Sequence, residues 1–313
     1  MADPIIVDNT ILAAMQTCDT LAATAYVLGQ SMFEEAGPLV CGSAIHTALE
    51  TWFKSGHDTE QAMQALETAF KPWADEHATS DRDRFQYTNV AAIMRQWFVT
   101  HPPAALPFKT DPALIEVGFA LPLADDVIFV GRMDALVWDA QGAWWIVDHK
   151  STYRLDDTWR KTQRASAQYT GYLWAGQQHL NQPVVGVYGN GIEVSLLPSD
   201  PVRKCRDHGV KYIECGPLHA RFELLLTQRT PAQIEQWKMS ALVLARKFAA
   251  LKAQVRSLDD LAPVPLTGQF TGACARCQFY DWCRVGRQVE MVPALMRYEP
   301  WEPYARVFGT PTP

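Results

Sequence analysis

Long apolar runs are missing from this chain: nowhere in its 313 residues does a stretch approach the ~20 consecutive apolar residues that span a bilayer. A surplus of positive charge is missing as well. Lys and Arg number 28 against 34 Asp and Glu, for a net charge of −6. That balance excludes a general nucleic-acid coat, because sequence-independent phosphate binding needs a positive surface. It leaves room for an enzyme whose basic residues gather around acidic metal ligands. The opening MADPIIVDNTILAAM lacks a basic segment ahead of an apolar one, so no secretory leader is expected. Internal repeats and low-complexity tracts are absent. With 48% apolar and 20% charged residues, the composition excludes disorder as a class. The expected setting is cytoplasmic, away from membranes. There, seven cysteines point to metal or redox chemistry before disulfides.

Three parts are expected. Residues 1–104 read as helical, with apolar spacing at Ile11, Met15 and Leu21–Leu28 and further helices over Cys41–Phe53, Thr59–Trp73 and Arg82–Phe98. His101-Pro102-Pro103 ends this part. Residues 105–225 begin with three strands, Ala113–Leu123, Val127–Trp138 and Trp144–Asp148. A helix over Asp157–Gln178 follows. Two more strands, Pro183–Tyr188 and Ile192–Leu197, are expected on either side of a turn at Gly189-Asn190-Gly191. Pro198–His219 reads as loop with one strand near Val210–Ile213. Residues 226–313 open with a helix whose start, Thr230-Pro231-Ala232-Gln233, carries a capping box and a proline at the first helical position. It runs to about Val255 and precedes a loop-rich end holding three cysteines.

The stretch GRMDALVWDAQGAWWIVDHK, residues 131–150, is the most informative. A turn centred on Gln141 sets Trp138 opposite Trp144, and the same register sets Asp134 opposite Asp148. Directly opposed side chains lie ~5 Å apart on one face. Alternation adds Leu136, Ile146 and Lys150 to that face and puts Ala135, Val137, Trp145, Val147 and His149 on the other. Both faces are largely apolar, so both should be covered. Two carboxylates and an ammonium at a covered sheet are costly unless compensated. A divalent cation compensates well, since Mg²⁺ and Mn²⁺ prefer carboxylate oxygen. A surface hairpin with an exposed Asp148–Lys150 pair is the plainer alternative, and the apolar runs WWIV and ALVW weigh against it.

Other candidates surround this core. Gly42, His46 and Glu50 share one helical stripe beside the apolar stripe of Ile45, Leu49 and Phe53. Gln168 and Tyr172 lie one turn apart, able to bind a ligand or simply to pack. Arg154, Arg160, Lys161 and Arg164 are phosphate contacts or a solvated face. Glu116 is a further acid or an edge residue, ranked below the rest. Cys274, Cys277 and Cys283 form C-x2-C-x5-C, which needs a fourth donor to close a zinc or iron–sulfur site. Cys41 is one candidate for it. Cys205 and Cys215 read as free thiols.

Asp134 followed by Asp148-His149-Lys150 at a strand end resembles the PD-(D/E)xK nuclease superfamily. In that pattern Asp134 is the first acid, Asp148 the second and Lys150 the lysine; Met133 stands where a proline often precedes. The G-x-x-x-H-x-x-x-E stripe resembles the helix before the core in RecB-like nucleases and implies His46 as a third metal ligand. Gln168-Tyr169-Thr170-Gly171-Tyr172 resembles the Q-x-x-x-Y motif of that branch. The C-terminal cysteines, with Cys18 near the N-terminus, resemble the RecB-like and CRISPR-associated exonucleases, in which four such thiols hold a 4Fe–4S cluster; Asp19 replaces the usual proline after the first. The resemblance implies a restriction-endonuclease-like α/β fold: a mixed central sheet flanked by helices, an N-terminal helical part and a C-terminal cluster region. It implies a Mg²⁺- or Mn²⁺-dependent DNA exonuclease acting on single strands or duplex ends. The metal would sit on His46, Asp134, Asp148 and the His149 carbonyl, with Lys150 orienting the nucleophile and Gln168 and Tyr172 assisting. A helicase or a recombination or adaptation protein is the implied partner. A non-catalytic DNA-binding module of the same fold and a zinc-stabilised structural protein are the alternatives.

Overall fold

The computed structural model describes residues 4–33, 36–78, 83–196, 209–211 and 220–309. In chain order these form β1 (Ile5–Val7), α1 (Asn9–Thr17), α2 (Asp19–Ala22), β2 (Gln30–Met32), α3 (Gly37–Lys54), α4 (Thr59–His77) and α5 (Tyr87–Thr100). Then come β3 (Lys109–Ala124), β4 (Val127–Trp138), β5 (Trp144–Thr152), α6 (Asp157–Arg164), α7 (Ala167–Leu180), β6 (Val184–Glu193) and β7 (Phe222–Thr227). The C-terminal part holds α8 (Pro231–Gln254), α9 (Tyr280–Arg284), α10 (Val292–Leu295), β8 (Met296–Tyr298) and α11 (Pro303–Phe308). Among the described residues no helix is long and apolar enough to cross a membrane. The chain divides into two compact units: one of Ala36–Val117 and Met133–Arg229, the other of Met1–Glu35, Gly118–Arg132 and Thr230–Pro313.

The first of these units is built on a mixed sheet. β4 and β5 pair antiparallel from Trp138↔Trp144 to Ala135↔Val147, the register expected from the hairpin. β5 and β6 run parallel, and β6 and β7 antiparallel. Ala135, Val137, Trp145 and Val147 join one core with Ile45, Leu49, Trp52 and Phe53 of α3, Leu66 and Phe70 of α4, and Ile93 and Trp97 of α5. The α3 residues recur at three- and four-residue spacing, so one stripe of that helix is buried. Each of these large side chains contributes about 1.5–3 kcal/mol when fully buried. On the opposite face α7 comes close at Gly176, whose missing Cβ would stand 3.2 Å from Ile146 and 3.6 Å from Leu136. Both faces are therefore covered, and the α/β class with helices flanking a mixed sheet is the observed fold.

Two expected breaks fall elsewhere. Gly189-Asn190-Gly191 is no turn: β6 runs through it from Val184 to Glu193. The glycines serve close approach, not a turn conformation. A Cβ at Gly189 would lie 2.5 Å from the Tyr169 hydroxyl, and one at Gly191 would lie 2.7 Å from both Leu155 and Trp159. Conversely, the single helix expected over Asp157–Gln178 is two, because Ser166 caps α7 by accepting from the Tyr169 amide. Most of the loop expected over Pro198–His219, with Cys205 and Cys215, lies outside the described residues.

In the second unit β1 pairs parallel with β4 over Ile5↔Val127 to Val7↔Phe129, and β2 pairs antiparallel with β8. The Thr230 capping box is present, with Gln233 donating and accepting in return. Past α8 the chain is mostly short turns, including Thr267–Thr271 and Ala273–Arg276.

Candidate active site

α3 and β5 bring the first set of groups together. Gly42 has no side chain, and a Cβ there would lie 3.0 Å from Ser151 Oγ, so the helix passes close to the end of β5. One turn later the His46 imidazole reaches the strand: Nε2 donates to the His149 carbonyl at 2.8 Å, and Nδ1 lies 3.4 Å from Asp134 Oδ2. Asp134 Oδ2 also accepts from the His149 backbone N–H at 2.7 Å. Continuing the β4–β5 register by one residue sets Asp134 opposite Asp148. Glu116, on β3, completes the group: ligand atoms of His46, Glu116 and Asp134 all lie within 4.8 Å of one another.

Asp148 and Lys150 form the adjoining pair. Lys150 Nζ is 2.8 Å from Asp148 Oδ2 and donates to Oδ1 at 3.1 Å. It also donates to Gln168 Oε1 at 2.9 Å, while Gln168 Nε2 donates to the Tyr172 hydroxyl at 2.9 Å. The Q-x-x-x-Y pair thus forms a relay that ends on the lysine. Tyr172 is buried, so its ring packs inside the protein.

Charges this deep shift one another. Burial disfavours the His46 imidazolium, but the Asp134 carboxylate beside it outweighs this and lifts the group to about 9. Burial pushes Asp134 up, and His46, His149 and Lys150 together draw it well below the usual carboxylate range. Asp148 is raised, by burial first and by the charge of Asp134. Lys150 is also raised: burial opposes its charge, and Asp148 and Asp134 more than compensate. Burial takes His149 down to about 3, so this ring is neutral. Its Nδ1 accepts from Asn190 Nδ2 at 2.8 Å, its face stacks on Phe53, and Asn190 Oδ1 accepts from Trp97 Nε1 at 3.3 Å. This ring anchors the peptide whose N–H and C=O meet Asp134 and His46.

The sequence pattern puts Glu116 below the other candidates, gives Tyr169 no role and places Asn190 in a turn. Glu116 has φ +58°, a left-handed conformation that no sequence pattern announces in a strand. Tyr169 is wholly buried, with its hydroxyl against Gly189, the residue paired with Asp148. Its ionisation is pushed up, by burial first and then by Asp148 and Asp134. Of the expected basic cluster, Arg160 is committed to Glu223 through two hydrogen bonds and to Asp157 through another.

The second unit holds the other candidate site. Cys18, Cys274, Cys277 and Cys283 line one cavity of about 550 Å³. Gly268 forms part of its wall: a Cβ there would stand 3.1 Å from Cys18 Cβ and 3.5 Å from the sulfurs of Cys18 and Cys274. Burial raises the Cys277 and Cys283 thiols, the latter to about 11, with the neighbouring sulfurs adding to it. Cys41, the rival fourth donor, is buried in the core of the other unit, and burial pushes its thiol up to about 12.

The donor sets suit their groups. An imidazole with carboxylates is a set for a divalent cation, and four thiols are a set for an iron–sulfur cluster or zinc. No curated protein matches. A solved structure titled "Crystal structure of SSO0001" aligns at 12% identity with a TM-score of 0.32, covering 88% of this chain and 95% of that one; a likeness that low carries no weight for the fold or the site. The family comparison does, since residues 10–284 match one profile from before the first candidate cysteine to just past the last. With that span, and with the acid, acid and lysine of β4 and β5 brought together, the chain belongs to the PD-(D/E)XK nuclease superfamily.

Proposed function

We propose that the chain is a Mg²⁺- or Mn²⁺-dependent deoxyribonuclease of exonuclease type, of the RecB-like branch, and that it carries a structural 4Fe–4S cluster. The observation that carries the nuclease reading is the convergence of His46, Glu116 and Asp134 within ligand distance of one another, beside the Asp148–Lys150 pair. His46, Asp134, Asp148 and the His149 carbonyl, joined by Glu116, would hold the metal. When bound, a divalent metal there lowers the pKa of a water and offsets charge on the scissile phosphate. Hydrolysis bonds the water oxygen to phosphorus, breaks the bond to the leaving sugar oxygen and delivers a proton to that oxygen. Lys150, fixed between Asp148 and Gln168, would orient the water and offset charge on the phosphate. Tyr172 would steady Gln168. The substrate is DNA, and a helicase or a recombination or adaptation protein is the partner class this branch suggests.

Replacement of Lys150 by Ala should cut the cleavage of end-labelled DNA with Mn²⁺ by roughly 10²–10³-fold, the scale of losing one charge-stabilising donor, while circular dichroism shows the protein still folded. Equal digestion by the parent and Lys150→Ala would sink the assignment.

The cluster reading rests on the four thiols of Cys18, Cys274, Cys277 and Cys283 lining one cavity in the order that the branch uses for its cluster. Anaerobically purified protein should be brown, with iron and sulfide in equal amounts. A colourless protein holding one zinc per chain would replace the cluster with a zinc site.

A further inference from the structure

One exposed feature of the nuclease unit lies outside the machinery above. Tyr153 follows the last residue of β5 and stands three positions after Lys150. At the ~3.3 Å rise of a strand, that is about 10 Å, or about three nucleotides stacked at ~3.4 Å. Its side chain is 59% exposed, although an aromatic ring gains by burial. Two guanidinium groups lie over it, Arg84 Cζ at 4.4 Å and Arg154 Cζ at 5.7 Å from the ring centroid. Arg84 also lies 4.8 Å over Phe85, and its carbonyl accepts from Asn89 Nδ2 at 2.8 Å. Thr152 Oγ1 accepts from the Arg154 N–H at 3.4 Å and donates to the Arg154 carbonyl at 3.3 Å, which fixes the turn that presents the ring.

An exposed aromatic ring with guanidinium groups over it matches the chemistry of an unpaired nucleobase, which stacks on aromatic rings and on guanidinium planes alike. The base stacks on the ring and its phosphates meet the arginines, as in single-strand binding surfaces generally. A paired base inside a duplex has both faces covered by its neighbours and cannot use such a platform. We propose that Tyr153, flanked by Arg84 and Arg154, stacks an unpaired DNA base about three nucleotides from the scissile bond and so gives the enzyme a preference for single-stranded or frayed ends. Only the distance to the scissile bond rests on the nuclease reading; the stacking itself does not.

The test is binding of a short fluorescent oligothymidylate to the whole chain in Ca²⁺, read by anisotropy. Parent and Tyr153→Phe should bind alike. Tyr153→Leu, which keeps apolar bulk without a π face, should bind roughly tenfold or more weakly, the scale of one lost stack. Binding to blunt duplex and the melting temperature should not change. An abasic nucleotide at one position should weaken the parent by the same factor and leave Tyr153→Leu unaffected. Equal binding by parent and Tyr153→Leu, equal weakening toward duplex, or the absence of any sensitive abasic position overturns the platform. Binding of this pattern by a parent that cleaves no DNA with Mn²⁺ would instead overturn the nuclease reading and leave the platform standing.

Discussion

The two compact units stabilise themselves by different means. The nuclease unit rests on volume: Trp52, Trp97, Phe53, Phe70, Ile45, Leu49 and Leu66 are among its fully buried side chains, and long helices and strands satisfy most of its backbone. Its charged groups sit inside that frame in pairs, Lys150 with Asp148 and His46 with Asp134. The other unit has a long helix and a short parallel strand pair, but residues 255–309 are mostly short helices and turns around the buried Phe279 and Trp282, held largely by point fastenings. Arg287, itself at φ +59°, donates to the carbonyls of Leu261, Ala262 and Val264, and four thiols converge on one cavity. A segment with so few long helices or strands needs a staple to remain ordered.

That contrast can be broken at its strongest point first. If the proposed cluster or a zinc occupies the four thiols, replacing Cys283 with Ala should release it and destabilise residues 264–291 by several kcal/mol, because such a group contributes folding free energy directly. Hydrogen exchange should rise there and stay slow in α3 and β5. Uniform loss of protection across both units would show that they do not differ in this way. Next in size, Trp52→Ala should cost the nuclease unit about 3–5 kcal/mol through the cavity it leaves, read by denaturant unfolding, with the metal content of the cysteine site unchanged.

A smaller change sharpens the comparison inside the nuclease unit. Asn190→Ala leaves the buried His149 Nδ1 and Trp97 Nε1 without the partner each now has, at about 1–3 kcal/mol. Because that ring steadies the peptide bonded to Asp134 and His46, DNA cleavage should fall as well. Unchanged cleavage at restored stability would mean that Asn190 only packs. Least of all, Thr230→Ala removes one half of the capping box of α8 and should cost about 1 kcal/mol, seen as a small drop in melting temperature.

Legibility in the sequence follows the same division. The hairpin could be read because its register depends on local alternation and one turn, and Trp138 opposite Trp144 is what the structure has. The α3 stripe and the capping box of α8 are equally local. Glu116 ranks below the rest in the sequence, since its approach to His46 depends on one left-handed residue in a long strand. Gly189-Asn190-Gly191 misled because the same composition serves a hairpin turn and a crowded strand. The decisive neighbours, Tyr169, Leu155 and Trp159, are distant enough in sequence to leave no local signal. Cysteine spacing points to a candidate site, while the choice of Cys18 over Cys41 comes from family resemblance. In the structure Cys18 shares a cavity with the other three and Cys41 is core.

The central claim is that one divalent ion belongs between α3, β3 and β4. Anomalous scattering from crystals soaked in Mn²⁺ tests it most directly. The expected result is a peak within coordination distance of His46, Glu116 and Asp134, with the hydrogen bond from His46 Nε2 to the His149 carbonyl broken so that imidazole and carbonyl both face the ion. Manganese bound only elsewhere, with that hydrogen bond intact at full occupancy of the soak, would contradict it.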